Sequence, residues 1–143
     1  MEFEGYGIDL YDRKDDVFPG LLGFAQKYTP DIYKELCESM DPEDDEKGRQ
    51  MFVKEWFSEY EDDDGYSGIS AYLKDAINKY EGTQFRSFDI DCDCIYFPQD
   101  YPWNLNEKMR GMSMEGFCGI VRKYLNQITD AEYTFTNIEM CDS

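Results

Sequence analysis

Apolar and polar positions recur along this chain with two different periods, and the switch between them sets the expected elements. Phe3–Tyr11 alternates loosely around Gly5 and Gly7 and reads as a short strand. Asp12–Asp16 reads as a charged turn, and Pro19–Gln26 as a short helical stretch weakened by Gly20 and Gly23. Thr29-Pro30-Asp31 is a helix start: a capping Thr, Pro in the first turn and an acid at the positive helix end. Ile32, Leu36, Cys37 and Met40 then follow at helical spacing. Asp41-Pro42-Glu43 repeats the start signal and predicts a second helix to about Tyr60 that buries Met51, Phe52, Trp56 and Phe57. The cleanest helical period is Ile69, Tyr72, Leu73, Ala76, Ile77 and Tyr80, a third helix over Ser67–Tyr80 that Gly82 ends.

From Gln84 to Phe97 the period changes to two, which predicts a strand. Pro98–Met112, with Pro98, Pro102 and Gly111, reads as a loop. Ser113 starts a further helix with Met114, Phe117, Val121, Leu125 and Ile128 on one face, and Glu132–Met140 reads as a final strand. The order is strand, three helices, strand, helix, strand. That order predicts an α+β fold: a small, mainly antiparallel sheet of about three strands packed with about four helices. At 143 residues, 1–143 is expected to be one domain, and no internal repeat is visible.

Charge changes the picture more than any motif. Thirty-two Asp and Glu face fourteen Lys and Arg, giving −18, with no histidine. Such an excess repels itself, so a cation, a basic partner or solubility must compensate. A disordered acidic tail would be poor in aromatics, whereas 17% of these residues are Phe, Trp or Tyr and 41% are apolar, enough for a core. The excess also argues against direct binding of nucleic acid or anionic lipid, both of which need Lys and Arg. No apolar run approaches the ~18 residues of a membrane span. The opening MEFEGYGIDL carries acids where a secretory signal carries bases. Five cysteines at irregular spacing fit a reduced, cytoplasmic compartment, the host cytoplasm if the chain is phage-encoded.

The charge is concentrated. Residues 41–65 hold eleven acids and three bases, while residues 102–129 are slightly basic. In Phe88-Asp-Ile-Asp-Cys-Asp-Cys-Ile-Tyr96, Asp89, Asp91 and Asp93 alternate with apolar residues. On a continuous strand they share one face at spacings of about 6.6–6.8 Å, while Phe88, Ile90, Cys92, Cys94 and Tyr96 face the core. Phosphates on one DNA strand rise about 3.4 Å each and lie roughly twice that far apart directly, so such a ladder can stand in for them. Asp62, Asp63 and Asp64, with Asp44 and Asp45, add to the anionic surface. Tyr60, Tyr66, Tyr96, Tyr101 and Trp103 lie beside the acidic segments, and Trp103 is the aromatic most expected at the surface.

Catalytic and metal chemistry finds little footing. With Gly65 or Gly48 at position six of an EF-hand loop, position twelve is Ala71 or Lys54 rather than Glu. Asp89-Ile-Asp91 and Asp91-Cys-Asp93 match D-x-D, but no phosphate-binding glycine loop accompanies them. Cys92 and Cys94, with Cys118 and Cys141, have the wrong spacing for structural zinc and read as core thiols. Without histidine, Cys-His and Ser-His machinery is excluded. No metal, no cofactor and no catalytic residue is therefore expected.

In charge, size and aromatic content the chain resembles phage and mobile-element proteins that block restriction or CRISPR effectors; no family motif carries the resemblance. It implies a non-catalytic acidic inhibitor that occupies the nucleic-acid channel of a basic nuclease or of a CRISPR or restriction effector. The binding residues would be Asp89, Asp91, Asp93, Asp62, Asp63, Asp64, Asp44, Asp45 and Trp103. An alternative is an immunity protein that plugs a basic, nuclease-type toxin. A second is a small divalent-cation-binding or metal-dependent enzyme domain, which would need its carboxylates to converge in one concave site.

Overall fold

A computed structural model describes residues 2–11, 14–89, 92–99, 101–131 and 133–141. The chain forms β1 (Glu2–Asp9), α1 (Lys14–Tyr28), α2 (Pro30–Ser39), α3 (Glu46–Glu59) and α4 (Ile69–Glu81). There follow β2 (Arg86–Phe88), β3 (Cys94–Pro98), a 3-10 turn at Pro102–Asn104, α5 (Glu107–Arg110), α6 (Met114–Leu125) and β4 (Thr136–Cys141). The strands make one antiparallel sheet in the order β2-β3-β1-β4. The α+β class and the small antiparallel sheet are as the periodicity predicts.

The first difference is the strand expected over 84–97. It is a hairpin: Arg86 pairs with Tyr96, Ser87 with Ile95 and Phe88 with Cys94. The chain therefore reverses between Phe88 and Cys94, and the sheet gains a fourth strand. Two faces result. Ile8 on β1 and Ile95 on β3 join the main core, while Phe88, Cys94 and Tyr96 form a separate small cluster with Tyr66 and Cys92.

The second difference is α1. The short stretch expected at 19–26 is a 15-residue helix that passes through Pro19. Pro in a helix interior costs about 3 kcal/mol, and burial of Val17, Phe18, Leu21, Phe24 and Ala25 on one face offsets it. Gly20, which weakens the helix on propensity alone, has a packing reason. A Cβ there would lie 2.1 Å from the Ile128 carbonyl oxygen, so glycine lets α1 approach the chain just beyond α6. In α3, Met51 is 57% exposed rather than buried, because Val53 and Phe57 define the inward face and Phe52 and Trp56 sit half-buried beside it.

α4 is the central helix. Ile69–Lys74, Ala76 and Ile77 are all buried. Fully buried Tyr72 meets the rings of Phe24, Phe57 and Tyr60, and its hydroxyl shares a 2.7 Å hydrogen bond with Thr29. Thr29 is thus spent on Tyr72 and on the Ala25 carbonyl rather than on capping α2 by its side chain. On the sheet side, Phe117 of α6 packs edge-on against Tyr6, Phe85, Phe97 and Phe135. The segment expected as a loop at 98–112 contains the 3-10 turn and α5, whose Asn106 cap accepts the Met109 N–H. No helix among the described residues is long and apolar enough to cross a membrane.

Candidate anionic binding surface

The structure sorts the candidate aspartates into two groups. In the first, the carboxylates hold the fold. Asp62 is 7% exposed, although it lies in the run Glu61-Asp62-Asp63-Asp64. Its Oδ2 accepts from Lys74 Nζ at 2.7 Å and from Ser87 Oγ at 3.0 Å. Its Oδ1 accepts the backbone N–H groups of Asp64 and Tyr66. Lys74 also reaches Asp75 at 2.9 Å, and Tyr60 donates to the other oxygen of Asp75 at 2.6 Å. Burial alone would push Asp62 up and Lys74 down. The hydrogen bonds and opposite charges outweigh burial, so Asp62 is held below the usual carboxylate range and Lys74 above the usual amine range. Desolvation and the bond to Asp75 together push the Tyr60 phenol far up.

Asp93 is 2% exposed and acts on α4 from outside the helix. The helix starts at Gly68, which has φ +109° and no side chain with which to cap. Asp93 Oδ1 accepts the Ser70 N–H at 3.0 Å, the bond that an N-cap side chain ordinarily makes. A Cβ on Gly68 would lie 3.2 Å from that same oxygen, so glycine meets both a conformational and a spatial demand. Asp89, half-buried, accepts the Ser67 N–H at 2.9 Å. Asp89 and Asp93 therefore place two carboxylates at the positive end of α4. Asp91 lies outside the described residues. Asp89 and Asp93 do not share a strand face, because β2 ends at Phe88, β3 begins at Cys94 and the two strands pair as a hairpin.

In the second group the carboxylates face solvent. The chain turns tightly after Tyr60, with Glu61 bridged to Ser67 and Gly65 N–H bonded to the Asp62 carbonyl. Asp63 and Asp64 lie at the exposed tip of that turn, which the buried Asp62 organises from within. At the other end of α3, Asp45 is the N-cap and accepts the Gly48 N–H at 2.8 Å, and Asp44 stands exposed beside it. Lys47, Met51, Glu55 and Glu59 succeed one another at steps of four and form an exposed stripe whose acids lie toward the Asp63–Asp64 turn. Among the described residues, Asp44, Glu55, Glu59, Asp63 and Asp64 have no ion pair with Lys or Arg. α3, with 14 residues, is about 21 Å long, and Glu55 and Glu59 are about 6 Å apart along it.

Trp103 is 75% exposed, as expected, and stacks on Tyr101 with centroids 4.5 Å apart and planes 5° from parallel. It does not join the acids. Asn106 bonds the Gly82 carbonyl and Lys108 the Glu81 side chain, which fixes the 102–110 segment at the C-terminal end of α4. The Asp62–Ser67 turn lies at the N-terminal end of the same helix.

Sequence reasoning missed Lys74, Ser87, Glu55 and Glu59. Lys74 carried a signal: a lysine beside Leu73 in the helix with the cleanest apolar period needs a buried partner. Among the described residues no three carboxylates or thiols converge as a metal site. No protein-family model, no curated protein and no solved structure matches the chain.

Proposed function

We propose that the protein is a non-catalytic acidic inhibitor that presents the solvent side of α3 and its two flanking turns to the nucleic-acid-binding surface of a basic protein. One observation carries the reading: exposed carboxylates without an ion pair gather at the C-terminal end of α3 and the turn after it, at Glu55, Glu59, Asp63 and Asp64, with Asp44 exposed at the other end of the helix. Glu55 and Glu59, about 6 Å apart along the helix, come close to one phosphate step of roughly 7 Å on a DNA strand. The helix fixes the backbone of Glu55 and Glu59 before binding, and concentrated negative charge speeds association with a basic surface. An anti-restriction or anti-CRISPR role in host cytoplasm follows from this chemistry. An immunity protein would need only one local patch, whereas exposed acids here lie at both ends of α3.

The test uses restriction endonucleases and Cas effectors carrying a fluorescent DNA duplex. The full chain is expected to displace the duplex from at least one of them, with an apparent affinity that falls steeply between low and physiological salt. The fourfold variant Glu55→Gln, Glu59→Gln, Asp63→Asn, Asp64→Asn is expected to lose most of that activity. Displacement unchanged by the four substitutions would overturn the reading.

A further inference from the structure

Cys92 and Cys94 flank Asp93 at the start of β3, and neither belongs to the acidic surface. Phe88, the last residue of β2, brings them together. Cys94 pairs with it across the hairpin, and Cys92 Sγ lies 3.6 Å from its carbonyl oxygen. Cys94 forms a small cluster with Phe88 and Tyr96, against which Tyr66 and Cys92 pack. Cys92 is half-buried, whereas Cys94 is 2% exposed. A hydrogen bond with Cys92, and burial, push the Cys94 thiol far up, so it keeps its proton and Cys92 is the sulfur that an oxidant in solvent meets first.

Asp93, between the two thiols, ties three elements together. Its carboxylate caps α4 through the Ser70 N–H, its own N–H donates to Asp9 Oδ1 at 3.1 Å, and its carbonyl accepts the Leu10 N–H at 2.7 Å. Tyr66 belongs to the turn that carries Asp63 and Asp64, and its ring meets that of Phe88 with centroids 5.3 Å apart. The thiol pair therefore adjoins both the start of α4 and the acidic turn. A disulfide demands a dihedral of about 90° at the sulfurs and Cα atoms about 4.4–6.8 Å apart. With one residue enclosed, the Asp93 backbone must bend to meet that demand, and the bend falls on its three hydrogen bonds.

We infer that Cys92 and Cys94 form a peroxide-sensitive thiol switch whose closure draws Asp93 off α4 and loosens the turn that presents Asp63 and Asp64. In the first step the Cys92 sulfur takes an oxygen from hydrogen peroxide: an S–O bond forms, the O–O bond breaks and water leaves. In the second the Cys94 sulfur attacks that of Cys92: the S–S bond forms, the S–O bond breaks, and the hydroxyl leaves with the Cys94 proton as a second water. Two thiols lose two electrons and two protons, and one peroxide becomes two waters. Disulfides in a reducing compartment are of this transient, sensing kind. The inference rests on the acidic-surface reading only for its consequence, a weaker grip on the partner in the oxidised state.

The full chain is treated with hydrogen peroxide, alkylated with iodoacetamide and digested with trypsin. Ser87–Lys108 is one tryptic peptide, with both cysteines and no methionine. It is expected to be lighter by two hydrogen atoms, closed to alkylation and restored by dithiothreitol. In the undigested oxidised chain the Ser70 amide, followed by NMR hydrogen exchange, is expected to exchange at least about fivefold faster, as for a lost helix cap. Cys92→Ser keeps a donor for the Phe88 carbonyl and is expected to show the same Ser70 exchange before and after peroxide. That control separates the pair from oxidation at exposed Cys37 or at methionines. A peptide that gains oxygen without losing hydrogen, or a bond to a second chain, overturns the switch. So does a closed disulfide that leaves Ser70 exchange unchanged. The desalted oxidised chain is also expected to displace duplex DNA less well than the reduced one, and equal displacement overturns the regulatory role. A reduced chain that displaces no duplex would sink the acidic-surface reading, while peptide mass and Ser70 exchange still decide the switch.

Discussion

Asp62 and its neighbours Asp63 and Asp64 are the same residue type in one unbroken run, yet they do opposite work. Asp62 turns inward, where Lys74, Ser87 and two backbone N–H groups surround it. Asp63 and Asp64 turn outward with no cation paired to them among the described residues. The inner carboxylate is the reason the outer pair has a defined place, because its two backbone bonds shape the turn that presents them. Charge density along a sequence therefore overstates the anionic surface. Asp62, Asp89 and Asp93 are spent on the fold, whereas Glu55, Glu59, Asp63 and Asp64 stay exposed.

Removing one partner of the inner network is the sharpest way to break this contrast. Lys74→Met would leave Asp62 charged and uncompensated in a buried site and should cost about 3–5 kcal/mol in urea unfolding. Asp93→Ala removes the cap that α4 cannot supply itself, with an expected loss of about 1–2 kcal/mol. Asp93→Asn keeps an acceptor for Ser70 N–H and should lose less. A loss of 0.5 kcal/mol or under for Lys74→Met would mean that the inner group is no more structural than the outer one.

Glu81 offers a titratable version of the same contrast. Hydrogen bonds from Lys123 and Tyr124, with Lys108 on the other oxygen, hold its carboxyl at about 2 despite partial burial. A carboxylate with a depressed folded value stabilises above its ordinary value of 4.5, and that stability is lost as pH falls toward about 2. Glu81→Gln should therefore be less stable than the parent by roughly 1 kcal/mol above about pH 5, a modest figure because the lysines are partly exposed. The gap should close by about pH 2. Comparing the two proteins cancels the relief of surface repulsion that protonation brings to both. A gap that stays constant with pH would remove Glu81 from the stabilising group.

At the small end, Asp63→Asn, Asp64→Asn, Glu55→Gln and Glu59→Gln should each change stability by no more than about 0.5 kcal/mol. Any shift should be toward stabilisation, since like charges are being removed. Loss of more than 1 kcal/mol at any of them would move that residue into the inner group.

The sequence was legible where one period ran unbroken. α4 and α6 matched their apolar patterns, Gly82 ended α4 in the left-handed conformation and Ser113 capped α6. It misled where a turn interrupted the pattern without a turn residue. Asp89 to Asp93 alternates like a strand, but it contains no Gly, Pro or Asn to announce the hairpin, so the reversal shows only in the pairing of Phe88 with Cys94. Burial of acids was equally hidden. Nothing in Glu61-Asp62-Asp63-Asp64 distinguishes Asp62, because its partners Lys74 and Ser87 lie 12 and 25 positions away. Glu55 went unmarked because it belongs to no run, and Glu59 was counted only within the acidic flank it opens; the helix sets the two one turn apart on an exposed face.

The central claim is that these exposed acids, rather than net charge, are the binding surface. The most direct measurement compares two fourfold variants of equal charge, −14 each, in duplex displacement from the effector that the parent inhibits most strongly. One neutralises Glu55, Glu59, Asp63 and Asp64; the other neutralises the exposed Asp31, Glu35, Glu115 and Asp130. The expected result is that the first loses at least about tenfold in apparent affinity while the second stays within about twofold of the parent. Equal losses in the two variants would show that binding follows total charge and would contradict the account.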